Sequence, residues 1–335
     1  MTYLIGLISV KLSCVYDLTA SDSQCETPQS AICQTEFCHF KLPFHHFGGT
    51  TLAMKQILSI QSSVTLGFVG NSVAAPVLTA MGHHPLAVDT IALAAHPGYG
   101  TRSGGVLATE DFTKILQALA HFNALSGVDF VITGYLGTAG QAAPIKDTLN
   151  AWRRQVDNGI YVLDPVLGDA DSLYVKPQIA ATLQAELLPL ADIITPNRFE
   201  LGFLADCEIA DLDAAIDAGQ KLLTTHPKLG AVIATGISRE ADMAGGIGDL
   251  LIAENDAPLW LPASDDGPIS PKNIPGGGDL LTAIMTGNLA NGMDLVEAAG
   301  NASQMAHRII ANSTGTRDLA LMEQLHLLDQ KSPAS

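Results

Sequence analysis

Downstream of Met54, short apolar runs alternate along the chain with longer segments in which apolar residues recur at helical spacing. Apolar runs of this kind, bounded by turn residues, are typical of buried strands. They predict strands at residues 56–60, 87–93, 129–133, 159–163, 192–194, 231–234 and 249–253. The intervening segments predict helices at residues 70–81, 109–125, 141–157, 212–225, 279–290 and 295–312. Strands that alternate with helices in this way indicate a mostly parallel sheet covered by helices.

The sequence downstream of residue 54 contains no internal repeat, low-complexity linker or change of composition, so it predicts one α/β domain over residues 54–335. The segment before it is richer in cysteine. Cys14, Cys25, Cys33 and Cys38 all lie there, and only Cys207 follows. Their spacing contains no C-x-x-C pair. We interpret residues 1–53 as an N-terminal extension, disordered or upstream of the true start, with a metal-binding module as the alternative.

Composition and charge narrow the classes of function. A hydrophobic content of 47% with 15% charged residues describes a globular protein that can bury a core. The formal net charge of −17 argues against nucleic-acid binding, because such proteins neutralise phosphates with clustered Lys and Arg. No apolar stretch approaches the roughly 20 residues that span a bilayer, and the N-terminus lacks the basic region of a signal peptide. We therefore expect a cytoplasmic protein that binds neither nucleic acid nor membrane.

A glycine-rich turn that carries an acidic residue directly precedes one of the predicted helices. It reads Pro275-Gly276-Gly277-Gly278-Asp279. The glycines leave the first N–H groups of the helix accessible, and these groups form an anion site together with the helix dipole. A carboxylate at Asp279 could accept a proton from a substrate hydroxyl at that site. The alternative is a flexible loop in which Asp279 is an ordinary N-cap.

Two further motifs place acidic side chains just beyond predicted strands. They are Asp164-Pro165-Val166-Leu167-Gly168-Asp169 and Thr195-Pro196-Asn197-Arg198-Phe199-Glu200. Ligands of open α/β sheets bind beyond the carboxyl ends of the strands, and carboxylates there can hold Mg²⁺ directly or through water. The alternatives are that Asp164 and Asp169 are turn residues and that Glu200 only complements a helix dipole.

Other polar or glycine-rich segments also follow predicted strands: Gln61-Ser62-Ser63-Val64, His96-Pro97-Gly98-Tyr99-Gly100 and Gly134-Tyr135-Leu136-Gly137. None is diagnostic by itself, because Tyr135 could be a half-buried packing residue and His96 a structural histidine. Turns that are only structural would be distributed over both ends of the sheet. All of these motifs instead follow strands at their carboxyl ends, which predicts a single site at that edge.

These motifs, in this order, resemble the pyridoxal kinases of the ribokinase-like superfamily over residues 54–329. The segments that carry the resemblance are Ser59-Ile60-Gln61-Ser62, Gly70-Asn71-Ser72, Gly134-Tyr135-Leu136-Gly137, Asp164 to Asp169, Ile194 to Glu200, Gly276 to Asp279 and Arg317-Asp318-Leu319-Ala320-Leu321. The resemblance implies a three-layer α/β/α sandwich and a homodimer. It also implies that the protein uses ATP to phosphorylate the 5′-hydroxymethyl group of pyridoxal.

The resemblance further implies roles for individual residues. Asp279 matches the catalytic base, and Gly276, Gly277 and Gly278 match the anion hole for the γ-phosphate. Positions that match ATP contacts are Asp164, Thr195, Asn197, Glu200 and Thr235. Positions that match acidic groups around Mg²⁺ are Asp164, Asp169 and Glu200. Positions that match substrate contacts are Ser62, His96, Pro97, Gly98, Tyr135 and Asp279. A monovalent cation is a further candidate cofactor, and the adenine pocket is expected near residues 264–273, which carry no motif.

The chain departs from the family pattern at three positions. Pro97 stands where the family often has a Thr beside the substrate, so a hydroxyl and a backbone donor are missing. Ser63 replaces a common His, and Gly277 replaces the usual Thr or Val of the glycine motif. The first two changes leave the preferred B6 vitamer open. The third loosens the turn without removing an amide donor.

Other functions remain to be weighed against pyridoxal phosphorylation. A hydroxymethylpyrimidine kinase of thiamine synthesis would have the same fold and reaction. A dinucleotide-dependent oxidoreductase would need G-x-G-x-x-G after the first strand, where the chain reads Gln61-Ser62-Ser63-Val64-Thr65-Leu66-Gly67. A non-catalytic vitamer-binding relative is the third alternative, and the retention of Asp279 argues against it because a carrier has no use for a base.

Overall fold

The computed structural model describes residues 54–169, 172–239, 246–254, 256–263, 274–313 and 317–329. The N-terminal extension over residues 1–53 and the expected adenine pocket near residues 264–273 lie outside the described residues. The prediction of one α/β domain concerns the rest of the chain.

A single large sheet forms the centre of the described part of the chain. The strands are β1 (Gln56–Leu66), β2 (His84–Ala95), β3 (Gly104–Val106), β4 (Val128–Thr133), β5 (Ile160–Leu163), β6 (Gly168–Asp169), β7 (Ser172–Leu173), β8 (Ile193–Ile194), β9 (Ala231–Ser238), β10 (Ile247–Ala253) and β11 (Leu259–Pro262). The order across the sheet is β11-β10-β9-β8-β5-β4-β1-β2-β3, whereas β6 and β7 pair separately as a small hairpin. From β2 to β9 all neighbours are parallel. At one edge β3 is antiparallel to β2, and towards the other edge β10 is antiparallel to both β9 and the edge strand β11.

Helices cover both faces of this sheet. They are α1 (Asn71–Ala80), α2 (Thr109–His121), α3 (Ala142–Arg153), α4 (Pro177–Glu186), α5 (Arg198–Ala205), α6 (Leu212–Thr225), α7 (Gly277–Ala290) and α8 (Leu295–Asn312). Buried residues of α1, α7 and α8 belong to one apolar cluster, and those of α2 to α6 belong to another. The predicted three-layer α/β/α sandwich with a mostly parallel sheet is confirmed.

Alternation along the strands explains the two apolar clusters. Tyr161 and Leu163 of β5 face the cluster that contains α2 to α6, whereas Val162 between them faces the cluster of α1, α7 and α8. Successive side chains of a strand point to opposite faces, so a fully apolar run can serve two layers of helices at once. This is why the apolar runs are continuous rather than alternating with polar residues.

The structure differs from the predicted elements mainly at their ends and in the short elements. Strands β1 and β2 are longer than predicted, and α2 ends at His121, where the prediction ran to residue 125. Helix α4 and the short strands β3, β6, β7 and β11 were not predicted, and α5 was anticipated only through its helix-start motif. None of the helices among the described residues is long and apolar enough to cross a lipid bilayer.

Asp249 of β10 joins three elements through its buried carboxylate. Its Oδ1 accepts the backbone N–H of Gly236 at 3.1 Å, and its Oδ2 lies 2.6 Å from Ser303 Oγ and 3.0 Å from His307 Nε2. Replacing Asp249 by alanine removes the shared acceptor, so the free energy of unfolding should fall by about 3 kcal/mol. Urea denaturation measures this loss. The exposed Asp256, replaced by alanine, is the control, and equal losses in both variants would contradict the prediction.

Candidate active site

The carboxyl ends of β1, β2, β4, β5, β8 and β9 lie at one edge of the sheet, because these strands are mutually parallel. Most of the polar and glycine-rich motifs noted in the sequence follow these strands and therefore begin at this edge. The prediction that Gln61-Ser62-Ser63-Val64 follows the first strand is wrong, because β1 continues to Leu66 and contains this motif. The first turn of α7 reaches the same edge from one face of the sheet. Its position is set by close contacts with the segments that follow β1 and β5.

The glycine-rich turn brings Asp279 into the site. Gly276 precedes α7 with a φ of +94°, and a Cβ at this position would lie 2.1 Å from the carbonyl oxygen of Phe68. Only glycine meets both conditions. Gly276 is the N-cap, so Asp279 lies in the first turn of α7, and the interpretation of Asp279 as an ordinary N-cap is wrong. The Asp279 carboxylate accepts the backbone N–H of Gly70.

Asp164, just beyond β5, lies beside this first turn and is buried, with 4% of its surface exposed. A Cβ on Gly278 would lie 3.8 Å from Asp164 Oδ2. Thr282 Oγ1, one turn further along α7, donates to the same oxygen at 3.5 Å and lies 2.8 Å from Thr195 Oγ1. The structure therefore brings together residues that follow β5, β8 and the glycine turn, as the single-site prediction requires.

The loop that carries Asp164 has an unusual backbone at Val166. Its φ is +36°, which is rare for a β-branched residue. The backbone N–H of Val166 donates to the Asp164 carboxylate, so this conformation holds the acid in place. Strained residues of this kind concentrate at functional sites. Sequence reasoning missed Val166, because valine gives no local signal for positive φ.

Glu200 connects the start of α5 to the same loop. Its Oε1 accepts the backbone N–H groups of Leu167 at 2.7 Å and Gly168 at 3.3 Å, and its Oε2 accepts that of Asn197 at 3.0 Å. Asn197 in turn caps α5 by accepting the Glu200 N–H at 2.9 Å, and it donates to Gly168 O at 2.8 Å. This is a capping box. The helix-start interpretation and the site interpretation of Glu200 are therefore compatible.

Burial raises the pKa values of the acidic residues of the site, and neighbouring negative charges add to the shift at Asp164 and Glu200. Burial, followed by the charges of Asp279 and Glu200, raises the pKa of Asp164 well above its usual range. Burial also raises the pKa of Asp279, although the N–H of Gly70 opposes this shift. Burial raises the pKa of Glu200 to about 7 against the effect of its three amide donors, and the exposed Asp169 adds a further negative charge. A cation among these carboxylates would relieve their repulsion.

The part of the chain that the structure describes contains no ready-made group of three metal-ligating side chains. Asp169 is exposed on β6, apart from the buried Asp164. Of the acidic positions singled out in the sequence, Asp164 and Glu200 are thus buried together with Asp279 beside them. Carboxylate oxygens of this kind suit a hard divalent cation.

Residues predicted to contact a nucleotide lie just beyond β8 and within β9. Thr195 is buried and bonded to Thr282, as described above, and Asn197 pairs with Thr235 as an isolated parallel bridge. The Thr235 N–H donates to Pro196 O at 2.8 Å. The next residue, Gly236, has a φ of +64° and open space where a Cβ would project. We use the name shelf for the residues at these strand ends together with the neighbouring acids: Asp164, Thr195, Asn197, Glu200 and Thr235.

Residues predicted to contact the substrate lie within β1 and just beyond β2 and β4. Ser62 is buried against Gly70, where a Cβ would lie 2.5 Å from Ser62 Oγ. Tyr135 is partly buried, and its carbonyl accepts the hydroxyl of Thr90 at 2.7 Å. His96 is buried as well. Of these candidates, Ser62 is linked to Asp279 through Gly70, which lies against Ser62 and donates its N–H to the Asp279 carboxylate.

Pro97 and Gly98 are exposed, whereas the preceding residue, His96, is buried. They lie on a short 3₁₀ turn, Pro97–Tyr99, directly after the buried His96. Sequence reasoning assigned no role to Asp318, although its carboxylate contacts His96 from a distant part of the chain. The pairing spans 222 positions, so no local pattern could have indicated it.

Comparison with known proteins identifies related sequences over most of the chain. Residues 79–321 match the family model described as phosphomethylpyrimidine kinase. The chain is 32% identical over 269 residues to pyridoxal kinase PdxY of Rubrobacter xylanophilus, covering 79% of this chain and 91% of that protein. It is 35% identical over 256 residues to the pyridoxine/pyridoxal/pyridoxamine kinase of Bordetella avium, covering 76% and 84% of the two chains.

Solved structures give the same result. The pyridoxal kinase of Leishmania donovani in complex with ADP and pyridoxamine matches with a TM-score of 0.73 and 26% identity, covering 84% of this chain and 97% of that one. The pyridoxal kinase of Entamoeba histolytica matches with a TM-score of 0.72 and 26% identity, covering 83% and 97%. The resemblance inferred from the motifs is confirmed by these matches.

Proposed function

Since the chain belongs to the phosphomethylpyrimidine kinase family, we propose that it acts as a pyridoxal kinase, which transfers the γ-phosphoryl group of ATP to the 5′-hydroxymethyl group of pyridoxal. One observation carries the proposal: Asp279 lies in the first turn of α7, beside the buried Asp164 and next to accessible helix N–H groups. The printed names of the relatives support the choice of substrate, since they are pyridoxal kinases.

Asp279 acts as the general base. Its carboxylate takes the proton from the substrate hydroxymethyl group as the oxygen attacks the γ-phosphorus. The N–H of Gly70 keeps one side of the carboxylate oriented, and the raised pKa brings its basicity closer to that needed near neutral pH. Ser62, His96, Pro97, Gly98 and Tyr135 form the wall that holds the ring of the substrate in this proposal.

The N-terminal end of α7 stabilises the charge on the transferred group. Gly276, Gly277 and Gly278 carry no side chain, so these residues themselves place no group over the backbone N–H groups of the first turn. These groups and the helix dipole favour an anion. Because the donors are held in place by the helix, they need not reorganise as charge develops in the transition state.

ATP lies along the shelf beyond β5, β8 and β9 in this proposal. Asp164, Thr195, Asn197, Glu200 and Thr235 border it. We assign an Mg²⁺ ion to the acidic part of this shelf, held by Asp164 and supported through water by Asp169 and Glu200, since this ion commonly takes one or two carboxylates together with phosphates and water. When bound, Mg²⁺ neutralises charge on the phosphates. A monovalent cation, a homodimer and a cytoplasmic location remain predictions from the sequence.

A hydroxymethylpyrimidine kinase is the second candidate, because the description of the matching family model names a pyrimidine substrate. The reaction and the roles of Asp279 and the glycine turn would be the same. Only the ring would differ. Pro97 and Ser63 leave this choice open, since both lie where the family pattern places polar groups near the substrate.

A coupled ADP-release assay tests the proposal with pyridoxal, pyridoxine, pyridoxamine and hydroxymethylpyrimidine. We expect kcat/KM for pyridoxal to exceed that for the pyrimidine alcohol by about tenfold or more, because ring contacts of this kind discriminate by that order. EDTA should abolish ADP release with every substrate, since Mg²⁺ accompanies ATP. A preference for the pyrimidine alcohol would establish the second candidate. Absence of ADP release with all four alcohols would favour a non-catalytic vitamer-binding relative.

A further inference from the structure

A buried histidine anchors the exposed turn that follows β2. His96 has 2% of its surface exposed, and its Nδ1 accepts the backbone N–H of Gly98 at 3.1 Å. An acceptor at Nδ1 leaves the ring proton on Nε2. That nitrogen lies 2.8 Å from Asp318 Oδ1, so His96 donates to the carboxylate. The start of the turn is thereby attached to the C-terminal region of the chain.

The end of the turn is attached to the same carboxylate. Tyr99 OH donates to Asp318 Oδ2 at 2.5 Å. The rings of His96 and Tyr99 meet edge to face with centroids 5.0 Å apart, and the guanidinium carbon of Arg317 lies 4.6 Å from the Tyr99 ring centroid. Asp318 therefore holds both ends of the segment that presents Pro97 and Gly98 to solvent.

The same carboxylate also contacts the segment that leads to the proposed base. Residues 67–70, which we call the strap, run from Asp318 to the first turn of α7. A Cβ on Gly67 would lie 2.4 Å from Asp318 Oδ1, and the carbonyl of Phe68 lies against Gly276. At the far end of the strap, the N–H of Gly70 donates to Asp279. One acidic side chain thus contacts both the turn after β2 and the strap beside Asp279.

We infer that Asp318 is a positioning residue for the alcohol substrate, and this inference rests on the proposed function. It sets the distance between the turn His96 to Gly100 and the strap, and so fixes the width of the space for the ring in front of Asp279. Pro97 has no N–H and no hydroxyl, so the substrate gains no hydrogen bond from that residue. The turn must therefore be preordered by its own anchors, and Asp318 provides both of them.

Asp318→Ala is expected to raise the KM for pyridoxal by about tenfold, because the charge-assisted anchor of His96 and Tyr99 is lost, and to leave the KM for ATP unchanged. A loss of stability alone would lower the fraction of active enzyme, which lowers kcat and leaves both KM values as they were. Asp318→Asn should restore most of the affinity, because its Oδ1 still accepts from His96 and its amide can donate to the Tyr99 oxygen. Glu323→Ala, an exposed acid in the same region, is the matched control.

A second variant and a hydrogen-exchange measurement test the role of Asp318 even if Asp318→Ala does not fold. Tyr99→Phe removes one anchor without deleting the carboxylate, and it should raise the KM for pyridoxal by about threefold even if the alanine variant does not fold. Hydrogen exchange of the peptide that contains residues 96–100 should be faster in Tyr99→Phe, and in Asp318→Ala where it folds, than in the Glu323→Ala enzyme.

The outcomes separate this inference from the proposed function. Suppose that the wild-type enzyme phosphorylates pyridoxal. Unchanged KM values or unchanged hydrogen exchange in Tyr99→Phe, and in Asp318→Ala where it folds, would then overturn the role of Asp318 alone. A wild-type enzyme without pyridoxal turnover overturns the proposed function and this inference with it. A rise in both KM values together would also overturn the positioning role, because it would not be specific to the alcohol.

Discussion

The Asp279→Asn enzyme should turn over pyridoxal about 10²- to 10⁴-fold more slowly than the wild-type enzyme and bind ATP with nearly unchanged affinity. Asparagine has almost the same shape and can still accept the N–H of Gly70, so the first turn of α7 should keep its position. It cannot take the proton from the substrate hydroxyl. Steady-state kinetics with pyridoxal and equilibrium binding of ATP measure the two effects separately.

The pH dependence of the wild-type rate provides a second signature of this base. Burial raises the pKa of Asp279, so the carboxylate becomes protonated at a higher pH than an exposed aspartate. The rate should therefore fall as the pH drops through this raised pKa, and the asparagine variant should lack that fall. Asp294→Asn is the matched control, because Asp294 is an exposed acid at the start of the next helix, α8. Near-normal turnover in Asp279→Asn would refute the assignment.

Gly276→Ala should both destabilise the protein and lower kcat by about tenfold or more. A side chain at a φ of +94° costs about 1–2 kcal/mol, and its Cβ would lie 2.1 Å from the carbonyl oxygen of Phe68. Relief of that contact must displace either the strap or the first turn of α7, which carries Asp279. We expect the free energy of unfolding to fall by about 3 kcal/mol in total.

The Gly292→Ala variant separates the cost of the positive φ from the cost of the contact with Phe68. Gly292 lies just past the other end of α7 with a φ of +87°, but a Cβ there would meet nothing within 4 Å. It should lose about 1 kcal/mol from backbone strain and keep its activity. Denaturation curves and pyridoxal kinetics of the two variants give the comparison. Equal stability losses, or normal turnover in Gly276→Ala, would mean that the contact with Phe68 has no consequence.

The pattern of apolar residues predicted most of the fold. Each predicted strand is present because a run of buried apolar residues suits a sheet that is covered by helices on both faces. The missed elements are those without such a pattern. Strands β6 and β7 are two residues long, which is too short for any periodicity, and α4 gave only Pro177 at its first turn as a signal. The antiparallel direction of β10 is likewise set by its partner and not by its residues.

The part of the candidate site that the sequence predicted consists of motifs at strand ends. Asp164, Glu200 and Asp279 were singled out because each follows a strand or a glycine turn, and the structure places them side by side. The positive φ of Val166 and the carboxylate of Asp318 were not singled out for any role. A strained φ depends on surrounding contacts that over-determine it, and neither residue has a local pattern that reveals its contacts.

By itself the sequence determined the fold class, the family and the chemical types available at the edge of the sheet, because strand periodicity and helix-start motifs act between neighbouring residues. Tertiary structure alone decided how those groups act on one another. The charges of Asp279 and Glu200 raise the pKa of Asp164, Gly276 contacts Phe68, and His96 pairs with Asp318, and each of these interactions joins residues far apart in the chain. Distances of this kind are set by packing of whole elements, since electrostatic and steric energies depend on separation in space and not on separation in sequence.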